Sequence, residues 1–148
     1  AALISVYSQS AACDQKLTAL SEEDIPEMGE KIISHYLSSY KKHPEFWRMI
    51  AWTNLEQIRV PNALKSIKSE SIEHIRKLFL HGQKSGYFAE NCSFEMYIYM
   101  LWALTFFINA NRKTLVISLA DKISGSDFLK EIVRTGASCA RAEGKKVK

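Results

Sequence analysis

The chain has 148 residues, of which 47% are hydrophobic, enough for one domain with a real core. Its 20 basic and 16 acidic residues leave a net charge of +4, far from the dense basic stripe of a dedicated nucleic-acid module. Three widely spaced cysteines, Cys13, Cys92 and Cys139, show no CxxC pair or Cys/His cluster. They read as reduced thiols of a cytoplasmic protein rather than a disulfide framework or a zinc site.

The chain opens on Ala1-Ala2-Leu3-Ile4, which has no basic leader and too short an apolar run for a signal peptide. It enters helix-like sequence at once, with neither Met nor a capping residue, and so reads as a piece of a longer polypeptide. Residues 2–20 carry Leu3, Ile4, Tyr7, Ala11 and Leu17 at loosely helical spacing. Ser21 then offers an N-cap, with Glu22, Glu23 and Asp24 on the positive end of the next helix. That helix, through about Tyr40, aligns Ile25, Met28, Ile32, Tyr36 and Tyr40 on one side. Pro44 suits the first position of a short third helix, PEFWRMIAWTNLE. Pro61 starts a longer one, with Leu64, Ile67, Ile75, Leu78 and Phe79 as its apolar stripe, ending around Gly82 and Gly86. Gly86 is expected to be a left-handed cap.

Ser93 caps a helix to about Asn111 that contains MYIYMLWALTFFI (96–108), thirteen residues with Thr105 as the single weakly polar one. The run is too short to span a bilayer, which takes about 20 apolar residues. A helix apolar all round must be covered on every side, by its own core and by a second molecule. Leu115 to Ile123 predicts a helical turn or short helix. Gly125-Ser126-Asp127 opens the last helix, where Phe128, Leu129, Ile132, Val133, Gly136, Ala137 and Ala140 form a stripe of diminishing size. No alternating strand pattern occurs. The class is all-α, six or so helices in an antiparallel bundle. The basic excess, at Lys41-Lys42, Arg112-Lys113 and Lys145-Lys146-Lys148, falls on helix ends and the tail, where cations suit the helix dipole.

Catalytic constellations are missing. The four histidines, His35, His43, His74 and His81, make no HxxxH pair, and Glu70 stands four residues before His74 rather than at the three-residue spacing of di-iron bundles. There is no GxGxxG, no GxxxxGK[ST] and no nucleophile elbow. Gly82 and Gly86 follow a helix, whereas a phosphate cradle precedes one. The chain is therefore not read as an enzyme, and no metal or cofactor is expected. Its resource is aromatic. Trp47, Trp52 and Trp102, with Tyr36, Tyr40, Phe46, Phe79, Tyr97, Tyr99, Phe106 and Phe107, fall on four helices that would pack together. They make either a bulky core or a ring-lined pocket with Tyr hydroxyls and indole N–H groups as polar handles.

The order of helices, with HPEFWRMIAWTNLE (43–56), HGQKSGYF (81–88) closing a long helix and FFINANRKTL (106–115) ending the aromatic one, resembles the C-terminal half of tetracycline-repressor-like (TetR-family) transcriptional regulators. The resemblance implies a homodimer through the last two long helices, with Ile98, Thr105, Ile108, Phe128, Leu129, Ile132, Val133, Gly136, Ala137 and Ala140 at the contact. It implies that residues 1–20 are the helix connecting a missing N-terminal helix-turn-helix domain to an effector-binding and dimerisation domain, 21–148. Operator DNA would then be bound only through the head that this chain lacks, and no membrane is involved.

On this reading a small, largely apolar effector sits against Tyr36, Trp47, Ile50, Ile75, Phe79, Tyr97, Leu101, Trp102 and Phe106. Its binding alters the spacing of two DNA-reading heads, which must match the operator half-sites. The alternative is a stand-alone helical dimer that carries a small hydrophobic ligand or scaffolds a partner.

Overall fold

The computed structural model describes residues 13–57 and 70–119, together with Ser8, Glu131, Arg134 and Thr135. Among these the chain is all-α, with no strand. Two 3-10 segments, Gln15–Ala19 and Glu22–Glu27, lead into α1 (Met28–Lys42), α2 (Pro44–Leu55), α3 (Glu70–Lys84) and α4 (Phe94–Leu119). The stretch expected to start at Pro61, with Leu64 and Ile67, lies outside the described residues up to Glu70. So do Leu3, Ile4, Tyr7 and the final stripe of Phe128, Leu129, Ile132, Val133, Gly136, Ala137 and Ala140.

The entry into α1 differs from one continuous helix. Pro26 has no N–H to give, so the regular i→i−4 ladder begins only beyond it, and the six residues before Met28 take the tighter 3-10 form. The Ser21 N–H donates to the Asp24 carboxylate at 2.7 Å and the Ser21 hydroxyl does so at 3.0 Å. The Lys31 ammonium pairs with the same carboxylate and lies 3.5 Å from Glu27.

From Met28 the helical period takes over. Met28, Ile32, Tyr36 and Tyr40 recur at four-residue spacing and are buried together with Ile33. Pro44 takes the first position of α2, where a missing N–H costs no hydrogen bond.

The close of α3 is built by two glycines. Gly86 adopts φ 67°, a left-handed conformation that side chains with a Cβ disfavour. The Tyr87 N–H reaches back to the Gly82 carbonyl at 2.7 Å and the Gly86 N–H to that of Gln83 at 2.9 Å, the paired bonds of a Schellman cap. At Gly82 a Cβ would fall 2.5 Å from the Phe88 ring and 3.1 Å from Ile25, so the loop folds back on bare backbone. The Gln83 side-chain amide holds that loop by donating to the carbonyls of Ala89 (2.9 Å) and Cys92 (2.8 Å).

Ser93 caps α4 as expected, its hydroxyl accepting the Met96 N–H at 3.2 Å. The helix then runs 26 residues without a break at Asn111, which joins the predicted separate turn after Leu115 to the helix before it, as far as Leu119. The Asn111 side chain does not end the helix but donates back to the Phe107 carbonyl at 3.0 Å. Val116 and Ile117 continue it, since β-branching costs an established helix only about 0.5 kcal/mol per residue.

The core lies where α1 packs on α4 and where α3 packs on both 3-10 segments and on α4. Met28, Ile32, Ile33, Ile75, Phe79 and Leu101 are its solvent-free members. Each such side chain contributes about 1.5–3 kcal/mol through burial. Three histidines act as ties rather than as a cluster. The His74 ring N–H donates to the Leu20 carbonyl at 2.7 Å, His35 lies 3.3 Å from Asp14, and His81 lies 3.3 Å from Glu22.

Candidate functional site

The aromatic residues form two groups. In the first, α1, α2 and α4 converge. Tyr40 stacks on Trp47 with ring centres 3.8 Å apart, Tyr36 stands perpendicular to Trp47 at 6.5 Å, and Tyr36 meets Trp102 edge-on at 6.4 Å. The four-residue step from Tyr36 to Tyr40 puts both phenols on the buried side of α1. In the second group Phe79 of α3 stacks on Phe88 at 4.7 Å and on Tyr97 at 4.9 Å. Phe94 stands edge-on at 5.8 Å, with the Arg76 guanidinium 4.4 Å above its ring.

Among the residues expected to line one pocket, Tyr36, Trp47 and Trp102 come together. Phe79 and Tyr97 belong to the second group. Ile75 and Leu101 are fully buried in the core, while Ile50 and Phe106 are half-buried. Tyr40 joins this corner from outside the expected lining, and its four-residue spacing from Tyr36 is the sequence signal for it.

The first group carries polar tips in a dry setting. Burial pushes the Tyr36 hydroxyl well above its ordinary value, and the nearby negative charge of Asp14 adds to the effect. A hydrogen bond from the Trp102 indole to the Tyr36 oxygen works the other way. Burial also raises Tyr40. Both phenols are therefore neutral hydrogen-bonding groups at any ordinary pH. The Trp47 indole N–H is shut off from solvent and has no hydrogen-bond partner among the described residues. His35 touches the edge of the Tyr36 ring at 5.3 Å, so the His35–Asp14 pair links this corner to the segment that precedes α1. Cys13, one residue earlier, lies 3.8 Å from His43 at the α1–α2 junction.

The long helix α4 divides into two faces that its sequence did not distinguish. Ile98, Thr105 and Ile108, expected at a dimer contact, are buried in the protomer's own core. The Thr105 hydroxyl is spent on the Leu101 and Trp102 carbonyls, each at 2.9 Å. The outward row is instead Met96 (56% exposed), Tyr99 (65%), Trp102 (41%) and Phe107 (56%). A helix apolar all round has no moment that would tell these faces apart in sequence.

A separate shallow cleft of about 360 Å³ is lined by Glu22, Glu23, Ile25, Pro26, His81, Ser85 and Tyr87. None of the sequence-predicted residues lines it. Among the described residues no three His, Cys, Asp or Glu side chains are grouped so as to hold a metal, and no helix is long and apolar enough to cross a membrane.

Residues 27–135, well over half of the chain, match the family of tetracyclin repressor-like C-terminal domains, and the chain belongs to that family of transcriptional-regulator domains. Among curated proteins, the HTH-type transcriptional repressor NicS of Pseudomonas putida is 28% identical over 131 residues. The match covers 84% of this chain and 61% of that protein, so the chain spans about three fifths of the length of this relative.

Proposed function

We propose that this domain senses a small, largely apolar effector and dimerises, within a longer regulator whose DNA-reading head lies outside this chain. The observation that carries the reading is the corner at Tyr36, Trp47 and Trp102. It is buried on one side and continuous through Trp102 with the outward apolar row of α4. An exposed row of large apolar side chains marks an interaction surface, and a second copy supplies a matching row by symmetry. The contact so proposed runs along Met96, Tyr99, Trp102 and Phe107. The relative named a helix-turn-helix repressor supports a DNA-bound role for the longer protein.

The route from effector to head is short. An effector among Tyr36, Trp47 and Trp102 bears on His35, which holds Asp14. Asp14 belongs to the segment that connects to whatever precedes it. His74 anchors the end of that segment through the Leu20 carbonyl. The effector then acts only through its different affinity for two settings of this segment. In a dimer those settings place two heads at different separations, and half-sites spaced about 34 Å apart would accept one of them.

Sedimentation of the full chain tests the dimer, and a thermal-shift screen of small aromatic compounds tests the sensor. A dimer whose midpoint rises with at least one compound is expected. Saturation at about 100 times Kd adds about 2.7 kcal/mol. A monomer at tens of micromolar removes the interface, and a flat screen removes the effector.

A further inference from the structure

We infer that the corner at Tyr36 and Trp47 takes a neutral, planar ring compound bearing a carbonyl acceptor, which meets the Trp47 indole N–H. The inference rests on the effector reading above and narrows it to a ligand class.

Indole nitrogen can only donate. A donor sealed from water without an acceptor is costly, by about 1–3 kcal/mol. Native proteins leave few such groups, and each calls for an explanation, of which an acceptor brought by a bound molecule is one. The Trp47 N–H is such a group. It is also held in place, because Tyr40 lies against the indole face at 3.8 Å with the planes 21° apart. A donor fixed by stacking selects by direction, so its partner must be a single well-placed oxygen. The surrounding walls are rings, with Tyr36 at 88° to the indole and Trp102 at 80° to Tyr36. Such walls favour a flat guest that stacks or meets them edge-on.

Charge decides against an anion. The Asp14 carboxylate is close enough to act on Tyr36, and its neighbour His35 already lies 3.3 Å from it. Lys41, Lys42 and Arg48 on the same two helices are exposed. A carboxylate bound beside Tyr36 would lose its hydration without gaining a cation among the described residues. A carbonyl loses far less and gains the indole N–H.

Acetophenone, ethylbenzene and benzoate separate the parts of this proposal, being one ring with a carbonyl, with no acceptor and with a charge. Dissociation constants come from ligand-observed NMR titrations of the full chain and of Trp47→Phe, which keeps a ring at this position and deletes the donor. Acetophenone should bind about tenfold tighter than ethylbenzene, the worth of one good hydrogen bond, and tighter than benzoate. In Trp47→Phe that preference should vanish, while circular dichroism reports an intact helical fold. Equal binding of acetophenone and ethylbenzene to the unaltered chain, or a preference that survives Trp47→Phe, overturns the donor assignment and leaves a site. Benzoate binding tightest overturns the neutral class. If none of the three binds at millimolar concentration, the effector reading falls with the inference.

Discussion

The two aromatic groups use the same residue types for opposite ends. Around Phe79 four rings stack or meet edge-on, and Phe79, Phe88, Phe94 and Tyr97 are all buried. The loop beside them is locked by the Schellman cap and by Gln83. Around Tyr36 the rings carry hydroxyl and indole tips, the Trp47 donor goes unmet among the described residues, and Trp102 stays 41% exposed. The first group is closed off from solvent by the chain itself. The second is incomplete in both directions, inward for want of an acceptor and outward for want of a cover. On the proposed reading, incompleteness, more than aromatic content, separates a site from a core.

The largest effect should come from breaking the finished group. Phe79→Ala removes a solvent-free ring that touches three others, and should cost about 3–5 kcal/mol in urea unfolding. A loss under about 1 kcal/mol would mean that this region is not close-packed and that the contrast is false. Gly82→Ala tests the same region from the backbone side. Its Cβ would stand 2.5 Å from the Phe88 ring, so the ring must shift, at a cost of about 1–3 kcal/mol. A neutral or stabilising result would show the Phe88 loop to be loose.

The outward row is tested through association. Tyr99→Glu sets a charge in the proposed contact, where an unpaired charge is costly to bury. It should leave a folded monomer by sedimentation at concentrations where the unaltered chain is dimeric. Ile98→Ala, on the inward face of the same helix, should lower the unfolding midpoint and leave association unchanged. The reverse outcome for the pair would restore the phase first expected for α4.

That phase shows where sequence reasoning stopped. Pro44, Ser93 and the Gly82–Gly86 pair were legible because each meets a backbone requirement that few residues satisfy: a missing donor, a cap and a left-handed turn. The order of helices and their all-α class followed from periodicity. Which way α4 faces could not follow, because Met96 and Ile98, or Phe107 and Ile108, are equally apolar and only their neighbours in space tell them apart. The division of one expected pocket into two ring groups was hidden for the same reason. Tyr97 and Trp102 both sit on α4, and only tertiary packing sends the first to Phe79 and the second to Tyr36.

Stability separates the unfinished group from the finished one. Trp47→Phe keeps a ring beside Tyr40 and removes the orphan donor, so unfolding free energy should change by less than about 1 kcal/mol, since removing an unmet donor offsets the lost indole packing. A loss as large as that of Phe79→Ala would show that the indole N–H already meets a partner within the fold.

The smallest effect concerns the clamp that carries Ile25 toward Gly82 and Phe88. Lys31 and the Ser21 N–H and hydroxyl hold the Asp24 carboxyl at about 2, below its ordinary 3.8. A depressed value means that the unfolded chain takes up the proton first. The clamp's stabilisation is therefore complete above about pH 4 and is lost as pH falls toward 2. The pair is solvent-exposed, so its contribution is small and salt-sensitive. Asp24→Asn should flatten this acid limb, and the difference between the two proteins should shrink in 1 M salt, where the screening length is about 3 Å. The Tyr36 and Tyr40 phenols themselves stay neutral over this range. An acid transition of equal size in Asp24→Asn would place the titrating group elsewhere.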